Sequence, residues 1–541
     1  MDIKRLVLFV IFSFSIMMLW NEWQLKDAPK KGVAEATSDA SIPAPVSAAG
    51  GVEVDNGQFK LEAGEAINVS TDLYQAKIST IGGDLRHLTL NKHRAAGKEA
   101  GSFVLMDDAA DPMLYVAQTG LIGADLPNHK TPFTTTANSF TMESDANTLE
   151  VKLSWESSGI TVDKVYIFHR GSYVIDVGYH INNASGNEIT ASVYYQITHD
   201  SESNQGSVLM PTFTGGAYYT AVDNFKKISF SDMANKKLSL KSIDGWIGII
   251  QHYFASAWIP KAGTANEFYT KQLTDNTYAV GVVNPIAKIV PGTSLDVTAK
   301  LFSGPQTASD LAAAAPGLEY AVDYGWLTVI AKPLFWLLSK IHGLVGNWGV
   351  AIIFLTILIK AVFFRLSATS YRSMAHMREM APRLQSMKEK FGDDKQKLQQ
   401  AMMEMYRKEK INPLSGCLPI LVQIPVFISL YWVLLGSIEL RHAPFFGWIT
   451  DLSVKDPYYI LPILMGATMI FQTYLNPAPT DPIQAKMMKI MPIVFSIFFF
   501  FFPAGLVLYW LVNNILSIAQ QWYINKTIHA AALAKKGIGK R

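Results

Sequence analysis

The chain has 541 residues, of which 49% are apolar and 17% charged, a composition that suits a protein with parts inside and outside a membrane. Its formal net charge of +3 gives no overall field that would favour nucleic acid as a partner. Cys417 is the single cysteine, so an internal disulfide and a thiolate metal cluster are excluded. Any exported domain must therefore be stabilised by its own packed core.

The N-terminal segment places basic residues before an apolar run. Lys4 and Arg5 precede residues 6–20, which carry no charge, and this order is typical of a membrane anchor that enters with its N-terminus inside. Small residues suited to cleavage do not follow at once, so we predict an uncleaved transmembrane anchor over residues 1–22. Residues 23–51 are rich in Ala, Ser, Pro and Lys and predict a flexible linker.

Runs of alternating polarity recur over the next 250 residues or so. Val151, Leu153 and Trp155 alternate with polar residues, as in a half-buried strand, and turn clusters such as Gly82-Gly83 separate the runs. We therefore predict a large β-sandwich domain over residues 52–307. Its histidines show no metal-ligand spacing, and we expect neither a metal nor a cofactor.

Residues 308–345 mix apolar and charged residues and contain Pro333. Trp326 and Trp336 are residues of the type that favours lipid headgroups, so we predict a connector followed by an amphipathic helix on the membrane surface. A helix that packs on the β-domain is the alternative.

The following apolar run contains one internal charge. We predict a transmembrane helix over residues 346–370, in which Lys360 lies among apolar residues. Because a charge inside a membrane is costly, Lys360 should face a bundle interior or a wet cavity and is a candidate functional residue. Thr356 lies four residues earlier on the same helix face. In the alternative interpretation, Lys360 snorkels toward the polar end of the helix at Arg365.

The remainder of the chain predicts a hairpin and further spans. Residues 371–411 show helical spacing of Met and Leu around a turn, which predicts a helical hairpin. This hairpin carries ten cations and six acids and should be cytoplasmic. Residues 412–524 predict transmembrane helices 3–6, and the acid-free residues 525–541 predict a basic cytoplasmic tail. Six spans leave both termini in the cytoplasm and the β-domain on the outer face of the membrane.

Polar residues recur within these spans. Gln423 lies in the third predicted span, and Asn513 and Asn514 lie in the last. Each could hold helices together or could line a polar site. Phosphate-binding loops and the H-E-x-x-H and G-x-S-x-G motifs are absent from the sequence, and we expect no covalent catalysis.

Three segments resemble the core of a known family. NPLSGCLPILVQIPVFISLYWVL (412–434), DPYYILPILMGATM (456–469) and FPAGLVLYWLVNN (502–514) are similar to the bacterial YidC/Oxa/Alb family of membrane protein insertases, in its Gram-negative form with a large periplasmic domain. The resemblance implies a hydrophilic groove among five core helices, closed on the outer side, with a positive charge at Lys360. Most Gram-negative members carry arginine there, so this chain keeps the charge but loses the planar, bidentate fork.

The resemblance also implies further site residues. Gln423 and Trp510 match groove-lining positions, in addition to Lys360 and Thr356. Four apolar positions match a surface along which a substrate helix leaves for the bilayer, namely Ile424, Phe427, Met465 and Phe499.

The function implied is an insertase and chaperone for nascent inner-membrane proteins in the bacterial inner membrane, acting alone or with the Sec translocon. Membrane lipids are expected partners, and the ribosome is a further candidate that the basic hairpin and tail could contact. We do not expect DNA as a partner. Two alternatives stay open. One is a secondary transporter of an anionic solute, although the core spans show no internal duplication. The other is a membrane-tethered carbohydrate-binding protein, since large β-sandwiches of this plan resemble mutarotases.

Overall fold

A computed structural model describes residues 43, 61–62, 64–95, 101–108, 114–201, 212–274, 276–392, 394–409, 418–475 and 482–538. The predicted anchor over residues 1–22 lies outside these ranges, as does the predicted linker over residues 23–51 apart from Pro43. The described residues form two compact units, one that ends at Val322 and one that begins at Asp323.

The first unit is built mainly of β-strands. Their ranges are β1 Ala66–Ser70, β2 Tyr74–Ser79, β3 Leu85–Arg94, β4 Ser102–Met106, β5 Tyr115–Ile122, β6 Thr134–Thr135, β7 Ser139–Thr141, β8 Thr148–Ser157, β9 Ile160–His169, β10 Val174–Asn183, β11 Ser192–Asp200, β12 Gly215–Thr220, β13 Asn224–Ile228, β14 Ser239–Ser242, β15 Trp246–Ile250, β16 Phe254–Pro260, β17 Asn266–Thr274, β18 Thr277–Pro285 and β19 Thr293–Pro305. In β9 every second residue is buried, the pattern of a strand with one face on a core.

The strands form two large sheets. One has ten strands in the order β14-β17-β18-β11-β5-β3-β2-β1-β7, with β4 beside β3. The other has nine strands in the order β13-β12-β15-β16-β19-β10-β9-β8-β6. Paired strands are antiparallel apart from β1 and β7, which run parallel. Antiparallel order suits a sheet with one solvated face.

Tyrosine side chains connect the two sheets. Tyr74 on β2 donates its hydroxyl to the carbonyl of Ser303 on β19 at 2.6 Å. Tyr166 on β9 donates to the carbonyl of Gly83, in the turn between β2 and β3, at 2.6 Å. The sheets therefore face each other across a shared core, and the predicted β-sandwich is confirmed.

A pair of oppositely charged residues lies in that core, and no sequence pattern predicted it. Asp84 and Lys164 are both 0% exposed. The Lys164 ammonium donates to the carbonyl of Gly82 at 2.8 Å, and the Asp84 carboxylate accepts from the Gln118 amide at 2.9 Å. Burial raises the pKa of Asp84 to about 6 and lowers the pKa of Lys164 to about 8, while the charge of each partner opposes these shifts.

Helices make up most of the second unit. Two short helices precede it in the first unit, α1 Phe230–Asn235 and α2 Ala308–Ala314. The second unit contains α3 Thr328–Val345, α4 Trp348–Val362, α5 Phe364–Phe391, α6 Lys395–Lys408, α7 Leu418–Gly436, α8 Ile460–Leu475, α9 Pro482–Phe499 and α10 Ala504–Ile538. A short 3-10 helix covers Leu318–Ala321 at the end of the first unit, and two more cover Gly325–Leu327 and Ile438–Leu440 in the second. Helix α10 thus continues through most of the predicted basic tail.

The helix expected over residues 346–370 is interrupted. Helix α4 starts after Asn347, whose side chain caps it by accepting from the Val350 N–H. It ends at Val362, and α5 leaves at a bend of 66°. Phe363 occupies the break with φ −89° and ψ 8°. The break was not predicted, because the apolar pattern continues through this point without Gly or Pro.

Helices α5 and α6 form the helical hairpin. Asp394 caps α6 by accepting from the backbone of Gln396 and Lys397. Arg383 on α5 pairs with Glu409, just after α6, at 3.0 Å. The cytoplasmic location of this hairpin stays a prediction.

Two segments of the described chain satisfy length and apolarity criteria for crossing a membrane. One is α3, and the other is α4 taken together with the bent continuation Phe364–Met377 as one span. Helix α3 is the helix we expected on the membrane surface, and it packs against α4 and α7. The apolar stretches Val422–Gly436 and Ile460–Leu475 are shorter. The count of six spans therefore stays a prediction.

The segment between α7 and α8 is fixed to the first residues of two helices. The Asn347 amide, at the start of α4, donates to the carbonyl of Phe445 at 3.1 Å. The Ala504 N–H, at the start of α10, donates to the carbonyl of Val454 at 2.7 Å. The segment therefore lies at one end of the helical unit and holds α4 and α10 together there.

Candidate functional site

One face of α10 carries a row of amide and hydroxyl side chains. Positions three, four or seven residues apart share a helix face, so these residues point the same way. The row consists of Asn513, Asn514, Ser517, Gln520 and Gln521, all buried. Polar side chains buried in an apolar bundle require partners, and each of these five has one on another helix or helix end.

Lys360 has its partner in this row. It lies in the last turn of α4 and is half-buried, and its ammonium donates to the Ser517 hydroxyl at 2.7 Å. The charge therefore points at α10 inside the bundle and not along its own helix toward Arg365. Among the described residues, no carboxylate lies within 4.0 Å of the Lys360 ammonium.

Gln423 belongs to the same polar site. Its side-chain amide on α7 donates to the Asn513 side-chain oxygen at 2.5 Å. A small cavity, with room for about one water molecule, is lined by Ile359, Lys360, Phe363, Leu366, Ser367 and Gln423. The structure thus brings Lys360 and Gln423 together although they are distant in sequence.

Further contacts of the row tie α10 to its other neighbours. Asn514 donates to the Thr468 hydroxyl on α8 at 3.3 Å, and Gln521 donates to the Leu475 carbonyl at the end of α8 at 3.2 Å. Gln520 donates to the Phe364 carbonyl, immediately after the break between α4 and α5, at 3.1 Å. Helix α10 is therefore bonded to α4, α5, α7 and α8 through one face.

Trp510 lies about one turn before Asn513 on α10 and contacts two aromatic rings. Its ring centroid is 4.3 Å from that of Phe427 on α7, in an edge-to-face arrangement, and 5.4 Å from that of Phe499 on α9. Its indole nitrogen is buried without a hydrogen-bond partner among the described residues. Trp510 thus joins α7 and α9 beside the polar row.

The other sequence-predicted site residues differ in accessibility. Thr356 is 1% exposed, and its hydroxyl donates to the Ile352 carbonyl of its own helix. Ile424 on α7 is 43% exposed, whereas Met465 is 0% exposed and Phe499 is 4% exposed. Met465 is therefore part of the packed interior in this structure and does not lie on an open surface.

Sequence reasoning missed Ser517, Gln520 and Gln521. The signal was present, because the segment Asn513 to Gln521 reads NNILSIAQQ and repeats polar residues at helical spacing. The prediction covered only the two asparagines, so it did not extend the polar face along the following two turns.

A two-sheet β-sandwich followed by a helical unit with a half-buried lysine among apolar helices defines a class of membrane protein with a large extramembrane domain. The family model described as YidC periplasmic domain matches residues 66–337, and the model described as 60Kd inner membrane protein matches residues 340–531. The chain belongs to the YidC family, as the resemblance of its core segments predicted.

Curated relatives extend over the whole chain. It is 61% identical to a protein named membrane protein insertase YidC from Methylobacillus flagellatus, with 100% of each chain covered. It is 51% identical to a protein of the same name from Aromatoleum aromaticum, with 98% of each covered. A solved structure of an active YidC insertase with its first transmembrane domain resolved covers 85% of this chain and 93% of its own, at 17% identity and a TM-score of 0.41.

Proposed function

We propose that the chain is a membrane protein insertase and chaperone, which moves segments of newly made proteins into the bilayer and assists their folding. Full-length relatives with this name support the activity. The observation that carries the mechanism is Lys360, an ammonium within an apolar bundle that binds a neutral hydroxyl and no described carboxylate. Its charge is therefore free to attract an acidic segment. The transporter and carbohydrate-binding alternatives gain no support from relatives named as insertases.

The proposed groove is lined by Lys360, Gln423 and Trp510. Lys360 and Gln423 line one small cavity, and Trp510 packs on Phe427, which lies one turn after Gln423 on α7. Thr356 is 1% exposed and its hydroxyl is already bonded within its helix, so its proposed part is to pack one turn before Lys360. Lysine offers one compact charge and not a planar fork, so we expect general attraction to carboxylates and not a bidentate geometry.

The proposed exit surface for a substrate helix begins at Ile424 and Phe427 on α7. Ile424 is the exposed member, and Phe427 packs on Trp510. Phe499 supports Trp510 from α9, while Met465 would contribute only after the packing around it opens. A hydrophobic helix that leaves the groove along this surface gains lipid contact while its polar end stays near Lys360.

Insertion by this route needs no nucleotide. A charged side chain at the centre of a membrane helix costs about 2.5–3.5 kcal/mol. An ammonium about 4 Å from a carboxylate returns about 1 kcal/mol in water and about 4 kcal/mol at an effective dielectric constant near 20. Burial of the apolar segment in lipid supplies about 25 cal/mol per Å². We infer that these terms suffice, and that the protein makes and breaks no covalent bond.

We further propose six membrane spans in the bacterial inner membrane, with both termini cytoplasmic and the β-sandwich periplasmic. Large apolar side chains are exposed along the helices of the second unit, which supports contact with hydrocarbon; examples are Phe354 on α4, Phe471 on α8 and Ile497 on α9. The excess of cations on the hairpin supports a cytoplasmic location for it.

The Sec translocon, the ribosome and anionic lipids are the proposed partners beyond the substrates. Cationic segments attract anionic headgroups and ribosomal RNA, and the hairpin and the C-terminal part of α10 both carry excess positive charge. A role for these cations in topology alone is the competing explanation.

The test is insertion into liposomes that contain only this protein. The substrate is a small membrane protein with an acidic translocated tail, compared with a version in which the acids are replaced by amides. Protease protection is read without nucleotide. We expect Lys360→Ala to reduce insertion of the acidic substrate about ten- to a hundredfold and to affect the amide version much less. Lys360→Arg should retain activity because it keeps the charge.

Lys489→Ala is the matched control, since Lys489 lies exposed on α9. Absence of protection above empty liposomes for the wild-type protein would contradict autonomous insertion. Equal loss of both substrates with Lys360→Ala would contradict an electrostatic role for this residue.

A further inference from the structure

Helix α10 contacts the Lys360 region at two points separated by one turn. Ser517 accepts a hydrogen bond from the Lys360 ammonium at 2.7 Å. Gln520, three residues later, donates to the Phe364 carbonyl at 3.1 Å. Lys360 and Phe364 are themselves one turn apart, on either side of the break at Phe363. The two contacts therefore hold the end of α4 and the start of α5 against a single face of α10.

The Ser517 hydroxyl is oriented for this contact. It donates its only proton to the carbonyl of Asn513 at 2.7 Å, within α10. Its oxygen lone pairs are then left to accept from Lys360. Because the partner is neutral, it fixes the direction of the ammonium without cancelling its charge. A carboxylate in the same place would hold the lysine but would compete with an acidic substrate.

The contact made by Gln520 acts on the backbone. The two helices meet at 66°, directly after the last turn of α4, which carries Lys360. Gln520 is 8% exposed and binds the first residue of α5. A lysine has a flexible four-carbon stem, and without restraint it would reach toward the polar end of its helix.

We propose that Ser517 and Gln520 are positioning residues for Lys360. Ser517 holds the ammonium in the groove, and Gln520 fixes the bend that aims the last turn of α4 at α10. Both act through Lys360 and not by touching the substrate. The inference rests on the proposed insertase function. It adds that these two contacts hold the flexible Lys360 side chain so that its ammonium stays in the groove.

Two measurements on the full-length protein in liposomes test the proposal. The first is the ratio of insertion between the acidic substrate and its amide version. The second is the rate at which a water-soluble acylating reagent modifies the Lys360 amine, read by peptide mass spectrometry. Ser517→Ala should lower acidic insertion about five- to tenfold, leave amide insertion within about twofold, and increase Lys360 modification. Gln520→Leu should likewise lower the ratio of acidic to amide insertion and increase the rate of Lys360 modification.

Ser517→Thr should behave as the wild-type protein in both measurements, because the threonine hydroxyl can still accept from Lys360 and donate to the Asn513 carbonyl. The matched control is Ser429→Ala: Ser429 is 0% exposed, and its hydroxyl donates to the Pro425 carbonyl within its own helix. Ser429→Ala should change neither measurement.

The proposal is overturned if Ser517→Ala matches wild type in both measurements, or if it reduces both substrates equally. If Ser517→Ala does not fold, the same two measurements on Gln520→Leu test the proposal. If the proposed insertase function is wrong, the result differs: the wild-type protein then shows no preference for the acidic substrate over its amide version that depends on Lys360. A wild-type preference that survives loss of the Ser517 hydroxyl refutes the positioning role alone.

Discussion

Replacement of Asp456 by alanine should loosen the segment between α7 and α8. Asp456 is 1% exposed, and one carboxylate oxygen accepts from the Trp448 indole N–H and the Tyr458 backbone N–H, each at 3.0 Å. The other oxygen accepts from the Leu461 N–H, in the first turn of α8, at 2.7 Å. One side chain thus connects the segment to the start of the helix.

The expected cost follows from the donors left behind. Alanine removes all three hydrogen bonds and leaves the Trp448 indole and the Leu461 N–H without these acceptors. A buried donor without a partner costs about 1–3 kcal/mol, and loss of an oxygen acceptor at a helix start costs about 0.5–2 kcal/mol. Allowing for relaxation, we expect local stability to fall by about 2–4 kcal/mol. Asp456→Asn should cost less, because its one oxygen still accepts.

Amide hydrogen exchange of the full-length protein in nanodiscs measures this effect. At tenfold per 1.4 kcal/mol, the amides around Trp448 and Leu461 should open about thirty- to several-hundredfold more often in Asp456→Ala. Lys455→Ala is the control, because that side chain is exposed and adjacent. Exchange at the wild-type rate in Asp456→Ala would refute the reasoning, as would the same acceleration in the control.

Two other predictions concern packing and pH. Gly349→Val should destabilise the start of α4, because a Cβ at Gly349 would collide with the Phe445 ring; thermal unfolding in detergent should show a lower midpoint, and an unchanged midpoint would contradict the prediction. For the buried pair, Asp84 holds its proton to higher pH in the folded domain, so its contribution to stability should fall as pH rises from about 4 to about 6. Lys164 loses its proton earlier when folded, so stability should rise again from about pH 8 to 10. Exchange of the β3 amides at a series of pH values checks the pH dependence. Asp84→Asn should abolish the decline between about pH 4 and 6, since it removes the carboxyl that titrates there, and a decline that persists would assign it to other groups.

Local patterns in the sequence were sufficient for the β-domain and for most helix positions. Val151 and Leu153 alternate with polar residues and are 0% exposed on β8, because a strand turns successive side chains to opposite faces. Long apolar runs identified α4 and α7 to α10, and the helical spacing of Met and Leu identified the hairpin helices α5 and α6. The buried Lys164 escaped this reasoning, because its strand shows ordinary alternation and the partner Asp84 lies 80 residues away in sequence.

The sequence by itself determined that a cation lies within an apolar helix, and that polar residues recur in the last span. It left open whether Lys360 faces a groove or reaches toward Arg365. The tertiary structure directs the Lys360 ammonium to α10 and away from Arg365, because its partner is Ser517, 157 residues further along the chain. That this site is a substrate groove stays a prediction. The break at Phe363 likewise has no local signal, and Gln520 on a distant helix binds the residue that follows it. Periodicity specifies which face of a helix is polar, whereas packing specifies which other helix that face meets.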